Sequence, residues 1–237
     1  MQCVILAGGF ATRMRPLTER IPKALIPVGG RPFIDHQLGW LAGHGVTDVV
    51  LCIGYKGDDI RAHLEKDAGN GLRIRFVDEG ANLRGTAGAL RLALDEGALA
   101  ESFLVTYGDS FLPVDFAEVF HAYQAAGRPA LMTVFRNDGR WDTSNVIFDA
   151  GRVDLYDKQR RTRPAADFAF IDYGLSALSR DVIAGEVPAT GTADLADLFH
   201  RLSVRGDLAG FEVGQRFYEI GSPAGLEDFE RWLAQSR

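Results

Sequence analysis

Apolar residues in this chain fall in short blocks separated by turn-forming residues. Cys3-Val4-Ile5-Leu6 and Val49-Val50-Leu51-Cys52-Ile53 are continuous apolar runs of strand length, as expected for strands covered on both faces. Between them, Phe33, Ile34, Leu38 and Leu41 recur at helical spacing within 32–44, and Gly45 follows as a stop. The turn Gly54-Tyr55-Lys56-Gly57 leads into a helix over 58–66 with Ile60 and Leu64 inward, and 73–78 alternates as the next strand. This strand-helix-strand-helix-strand order predicts an α/β fold with a mostly parallel sheet and right-handed crossovers. Such sheets bind ligands beyond the carboxyl ends of their strands. Chemistry is therefore expected in the loops after Leu6, Ile53, Asp78 and Tyr107.

Further along, a Gly-rich turn at 85–90 enters a helix expected to reach about Leu99, and 103–107 is a strand ending in Gly108-Asp109-Ser110. Residues 115–126 read as a helix and 130–135 as a strand. A hairpin is expected from 145–148 and 153–156 around Asp149-Ala150-Gly151. A short helix opens at 179–183, another covers 192–202, and 224–235 is amphipathic through Leu226, Phe229, Trp232 and Leu233. No repeat or linker interrupts the pattern, so 1–237 is expected to be a single domain, with a first half over 1–127 and a second over 128–237.

Composition narrows the function. With 46% hydrophobic residues the chain can build a sizeable core. A net charge of −6 and a pI near 5.4 argue against a general nucleic-acid binder. No apolar run is long enough to span a bilayer, and the N-terminus reads as a strand rather than a signal peptide, so no membrane partner is expected. Cys3 and Cys52 lie in strand-like runs and read as buried thiols, which points to a reducing, cytoplasmic location. The five histidines show no ligand spacing and read as structural or surface residues.

Against this acidic background, residues 1–31 carry five basic residues and one acidic one. Most follow Leu6-Ala7-Gly8-Gly9-Phe10-Ala11-Thr12-Arg13-Met14-Arg15-Pro16, a strand end running into paired glycines. Such a turn exposes backbone N–H groups that suit anions. It is not a Walker P-loop, because no Gly-Lys-Ser/Thr follows, and Ala11 and Arg13 spoil a Rossmann fingerprint. A plain turn with solvated arginines is the competing reading, and the accumulated positive charge favours a polyphosphate site. Asp109, at the tip of a central strand, suits a hard divalent cation; alternatively it caps the turn.

Leu6-Ala7-Gly8-Gly9, 11–18 and Pro22-Lys23-Ala24-Leu25-Ile26-Pro27-Val28 resemble the signature of the nucleoside-triphosphate:sugar-1-phosphate nucleotidylyltransferases. The family includes small mannose- and heptose-1-phosphate guanylyltransferases and a muramate-1-phosphate uridylyltransferase. The resemblance implies a Rossmann-like sheet of the nucleotide-diphospho-sugar transferase type, with a smaller β-rich sugar-binding part. It also implies Mg²⁺-dependent formation of an NDP-sugar and pyrophosphate from an NTP and a sugar 1-phosphate, feeding polysaccharide or glycan precursors.

Carried over residue by residue, it makes Arg13 and Lys23 the catalytic cations and places Leu6, Ala7, Gly8, Gly9, Ala11 and Thr12 on the nucleotide phosphates. Glu79, Gly85, Thr86 and Gly108 join the nucleotide site, although Thr86 also reads as a simple helix cap. Asp157-Lys158 stands where the family has Glu-Lys-Pro, and Asp172 and Gly174 stand in the family's Asn-Ala-Gly segment, so Asp157, Lys158, Asp172 and Gly174 are expected on the sugar phosphate. Lys158 also reads as a solvated surface lysine. Asp109 and Glu219 would hold Mg²⁺, with Glu219 in place of the family's second aspartate; pairing with an arginine is its alternative role. Two other functions stay open: a cytidylyltransferase acting on a non-sugar phosphate such as phosphocholine, and a non-catalytic nucleotide-binding subunit. Assembly into a homo-oligomer also stays open.

Overall fold

The computed structural model describes residues 1–10, 14–66, 71–137 and 139–236. In chain order the first half runs β1 (Gln2–Leu6), β2 (Pro27–Val28), β3 (Arg31–Pro32), α1 (Phe33–Gly43), β4 (Asp48–Ile53), α2 (Gly57–Leu64), β5 (Arg73–Asp78), α3 (Gly85–Asp95), β6 (Ser102–Tyr107), β7 (Ser110–Phe111) and α4 (Phe116–Ala126). The second half runs β8 (Ala130–Arg136), β9 (Val146–Asp149), β10 (Arg152–Tyr156), β11 (Phe170–Ser179), α5 (Arg180–Glu186), α6 (Leu195–Arg205), β12 (Leu208–Val213), β13 (Tyr218–Glu219) and α7 (Pro223–Gln235).

Among the described residues, nine of these strands form one sheet in the order β5-β4-β1-β6-β11-β8-β12-β10-β9. β4, β5 and β6 join β1 in parallel, while β11 and β10 run against their neighbours. The sheet is continuous through both halves: it is parallel from β5 to β6, as the first three strands and their helices predict, and mixed beyond β6. β12, a strand parallel to β8, was not expected. Its apolar alternation is interrupted by Gly210, where a Cβ would lie 2.5 Å from the Phe148 ring. α3 ends at Asp95, short of Leu99, and α6 starts at Leu195.

Helices cover both faces. Ala87, Leu90 and Ala93 of α3 pack with α5 and α6 against Val4, Cys52 and Val105. Ile34, Leu38 and Leu41 of α1 pack with α2 and α4 against Cys3, Ile5 and Leu104. Both cysteines are free and buried. The helix starts follow local chemistry: Asp115, Asp194 and Ser222 each accept a backbone N–H from the first turn of α4, α6 and α7. A third cluster, with Phe33, Phe111, Ile220 and Phe229 at its centre, docks α7 onto α1 and β7. No helix among the described residues is long and apolar enough to cross a membrane.

Candidate active site

Backbone hydrogen bonds hold the strand ends together. Ala7 N–H donates to Cys52 O, Glu79 N–H to Ile53 O, and Gly108 N–H to Leu6 O. The loops after β1, β4, β5 and β6 thus converge on one cavity of about 250 Å³. Its wall contains Leu6, Ala7, Gly8, Gly9, Lys23, Glu79, Gly85, Thr86, Gly108 and Asp109, all expected from the sequence. Ala11, Thr12 and Arg13 lie outside the described residues.

Two glycines allow the loops to close up. A Cβ on Gly8 would sit 2.5 Å from Glu79 Oε1. Gly85 has φ +76° and its Cβ would meet Ala193 O at 2.5 Å, because the 193–194 segment lies over the start of α3. Ala193 O accepts from the Ala87 and Gly88 N–H groups. Thr86 lines the cavity, but its hydroxyl donates to Asp194 and accepts from Leu195 N–H. It therefore ties α3 to α6. Glu79 accepts from Arg84 N–H at 2.7 Å and so closes its own loop; burial pushes its carboxyl above the ordinary value against that hydrogen bond.

Lys23 sits in a short 3₁₀ turn after the extended Pro22, and its Nζ lies 2.8 Å from Asp109 Oδ2. Asp109 lies between β6 and β7. β13 pairs with β7 so that Glu219 faces Ser110, and Ile220 N–H donates to Asp109 O. The two expected metal carboxylates are therefore on neighbouring backbone segments. Among the described residues, no group of three or more His, Cys, Asp or Glu is placed to hold a metal. His36, His63 and His200 bond to Val28 O, Asp35 and Tyr156 O.

A second cavity, about 330 Å³, adjoins the first through Tyr107, which lines both. It gathers Lys158, Asp172, Gly174 and Glu219, with Asn145, Tyr156, Tyr173 and Phe217. The register of β11 against β8 shifts between Asp172 and Ser176, and Gly174 there has φ +96°. Such bulges re-aim side chains beside sites. Next along the chain from Phe217, the Arg216 guanidinium stacks 3.7 Å over Trp141 and pairs with Asp228 of α7.

Asp157 is the exception. It lines neither cavity. Its carboxylate accepts from the N–H groups of Gln159, Arg161 and Thr162 and from the Thr162 hydroxyl. In this way it folds the 157–162 loop that carries Lys158. Sequence reasoning also missed Tyr55 and Leu83 on the first cavity and Asn145 on the second. Tyr55 was within reach, because it sits in a turn already marked as a strand end. Asn145 was not, because its Oδ1 meets Asp172 N–H across 27 residues.

Burial raises the Asp172 carboxyl to about 6, opposed by Gly174 N–H and the Lys158 charge. Between the ordinary carboxylate value near 4 and about 6, the folded chain holds a proton that the unfolded chain releases. This contribution favours folding at the acid end and is lost as pH rises through about 6. Asp172→Asn is expected to melt above the wild type at pH 7, with the gap closing towards pH 4. An offset independent of pH in thermal melts would contradict this.

Residues 2–145 match the nucleotidyl transferase family. The chain is 31% identical over 229 residues to a mannose-1-phosphate guanyltransferase of Kluyveromyces lactis, covering 94% of this chain and 62% of the relative. The chain thus spans less than two thirds of that relative's length. It is 27% identical to a glucose-1-phosphate cytidylyltransferase of Salmonella typhi, covering 90% of this chain and 88% of the other. The inositol-1-phosphate CTP transferase of T. maritima has the same fold, with a TM-score of 0.79 at 20% identity over 99% of this chain and 95% of that one.

Proposed function

The chain belongs to the nucleotidyl transferase family, and from that premise we propose that it transfers a nucleoside monophosphate from an NTP to a sugar 1-phosphate. An acceptor phosphate oxygen forms a bond to the α-phosphorus, the bond from that phosphorus to the β-phosphate oxygen breaks, and pyrophosphate leaves. The acceptor oxygen is already an anion, so the protein need supply no nucleophile. Its task is to bring two anions together and to absorb charge.

The observation that carries this reading is the Lys23–Asp109 pair on the wall of the first cavity, which adjoins the second through Tyr107. Backbone around Gly8 and Gly9 receives phosphates in the first cavity, and the base lies among Tyr55, Glu79, Leu83 and Gly85. Lys23 takes the α-phosphate, and by resemblance Arg13 takes the β- and γ-phosphates. In the second cavity Lys158 meets the acceptor phosphate, while Asp172 and the backbone at Gly174 meet the sugar. On this reading 1–237 is one domain, with 1–127 serving the nucleotide and 128–237 the acceptor.

The donor set fits magnesium, because Asp109 and Glu219 offer hard carboxylate oxygens from neighbouring backbone segments and Mg²⁺ is commonly held by one or two carboxylates plus phosphates. When bound, the ion would neutralise charge on the phosphates.

The test is pyrophosphate release with Mg²⁺ across the four common NTPs and a panel of sugar 1-phosphates, with phosphocholine included. Release dependent on a sugar 1-phosphate supports the proposal and identifies both substrates. Release with phosphocholine alone would replace the sugar reading. Tight nucleotide binding without turnover across the panel would favour a regulatory subunit.

A further inference from the structure

Gln37 lies in the middle of α1 and is 4% exposed. Its Nε2 donates to Tyr107 O at 2.8 Å and to Ser110 O at 2.9 Å. These two carbonyls stand on either side of Gly108-Asp109, where β6 ends and β7 begins. Both partners only accept, so the amide orientation is fixed with nitrogen towards the turn. The other amide atom, Oε1, is buried and accepts no hydrogen bond from the described residues. A buried acceptor left in this state weighs against stability. An apolar side chain of the same length would avoid that cost, so what the amide supplies is the two donated bonds.

We infer that Gln37 is a positioning residue for the divalent-cation site, holding the turn that presents Asp109 and, through the Ser110–Glu219 pairing, the spacing of both carboxylates. The inference rests on the metal role proposed above for Asp109 and Glu219. Each of the three backbone segments around the site then has one tie to Asp109's turn. Gln37 bridges its two ends, Gly108 N–H reaches β1, and Ile220 N–H reaches it from β13. Partners that orient metal ligands in this way typically govern affinity by about ten- to a hundredfold.

The experiment titrates Mn²⁺ into the full chain without nucleotide, read by electron paramagnetic resonance. It compares the wild type with Gln37→Met, Gln37→Asn, Asp109→Asn and Leu38→Ala. Gln37→Met is expected to weaken Mn²⁺ binding about tenfold or more, while nucleotide affinity measured in EDTA stays within about twofold of the wild type. Leu38→Ala, also buried in α1, should lower the melting temperature and leave the Mn²⁺ affinity alone. If Gln37→Met does not fold, Gln37→Asn carries the test, because its amide is one methylene too short to reach both carbonyls. Wild-type Mn²⁺ affinity in the folded Gln37 variant overturns the inference. Equal binding by the wild type and Asp109→Asn overturns the metal reading, and the inference falls with it.

Discussion

Replacing Lys23 with alanine lowers the rate of pyrophosphate release by about two to three orders of magnitude and leaves the fold in place. The size follows from where the charge sits. Lys23 stands on the wall of the first cavity with 17% of its side chain exposed and its Nζ 2.8 Å from Asp109. A fixed cation in such a place is worth far more to a transferring phosphoryl group than one in water, because it needs no reorganisation as charge develops. Two to three orders of magnitude correspond to about 3–4 kcal/mol of transition-state stabilisation. The fold survives because Lys23 belongs to a three-residue 3₁₀ turn whose packing rests on Ala24 and Ile26. Arginine should not rescue the variant, since a planar guanidinium does not reproduce a compact ammonium. Turnover near the wild-type level, with an unchanged circular-dichroism melt, would remove Lys23 from the mechanism.

Asp109→Ala is expected to cost a similar two to three orders of magnitude in turnover, with a second signature that separates it from Lys23→Ala. Removing the carboxylate releases the Lys23 ammonium from its partner and takes a negative charge away from the phosphate site. Binding of an NTP in EDTA should therefore hold or tighten in Asp109→Ala and weaken in Lys23→Ala. The magnesium dependence of turnover should move in the opposite sense, with half-saturation rising in Asp109→Ala. Isothermal titration with and without EDTA reads both effects. Nucleotide binding that weakens equally in the two variants would contradict the assignment of a cation-holding role to Asp109.

The first half of the site was legible because its signals are local. A strand, a glycine turn and a basic residue follow one another within thirty residues, and parallel topology places the loops after β1, β4, β5 and β6 together. The second half was less legible because its geometry is set by pairings distant in sequence. β12 exists as a strand because it lies beside β8, about eighty residues earlier, and Gly210 obscures its period. The aim of Asp172 depends on a bulge against β8, and Glu219 meets Asp109's turn only through β13 and β7. Asp157 was placed with the sugar phosphate because an acidic residue before a lysine matched a family position. The polar hydrogens of 159–162, to which its carboxylate turns, do not show in a pattern of side-chain types.

Cys3 and Cys52 lie on adjacent strands of one sheet, yet they point into different layers. Cys3 packs with α1, α2 and α4, and Cys52 packs with α3, α5 and α6. Burial pushes both thiols far above their ordinary pKa, so neither is a nucleophile while the chain is folded. Together they act as a pair of built-in clocks. In mild denaturant, alkylation of Cys3 records the opening of one face, and alkylation of Cys52 records the opening of the face that carries the Gly85 loop. Coincident rates would mean that sheet and helices yield as one cooperative unit; a faster Cys52 would mean that the nucleotide side breathes first.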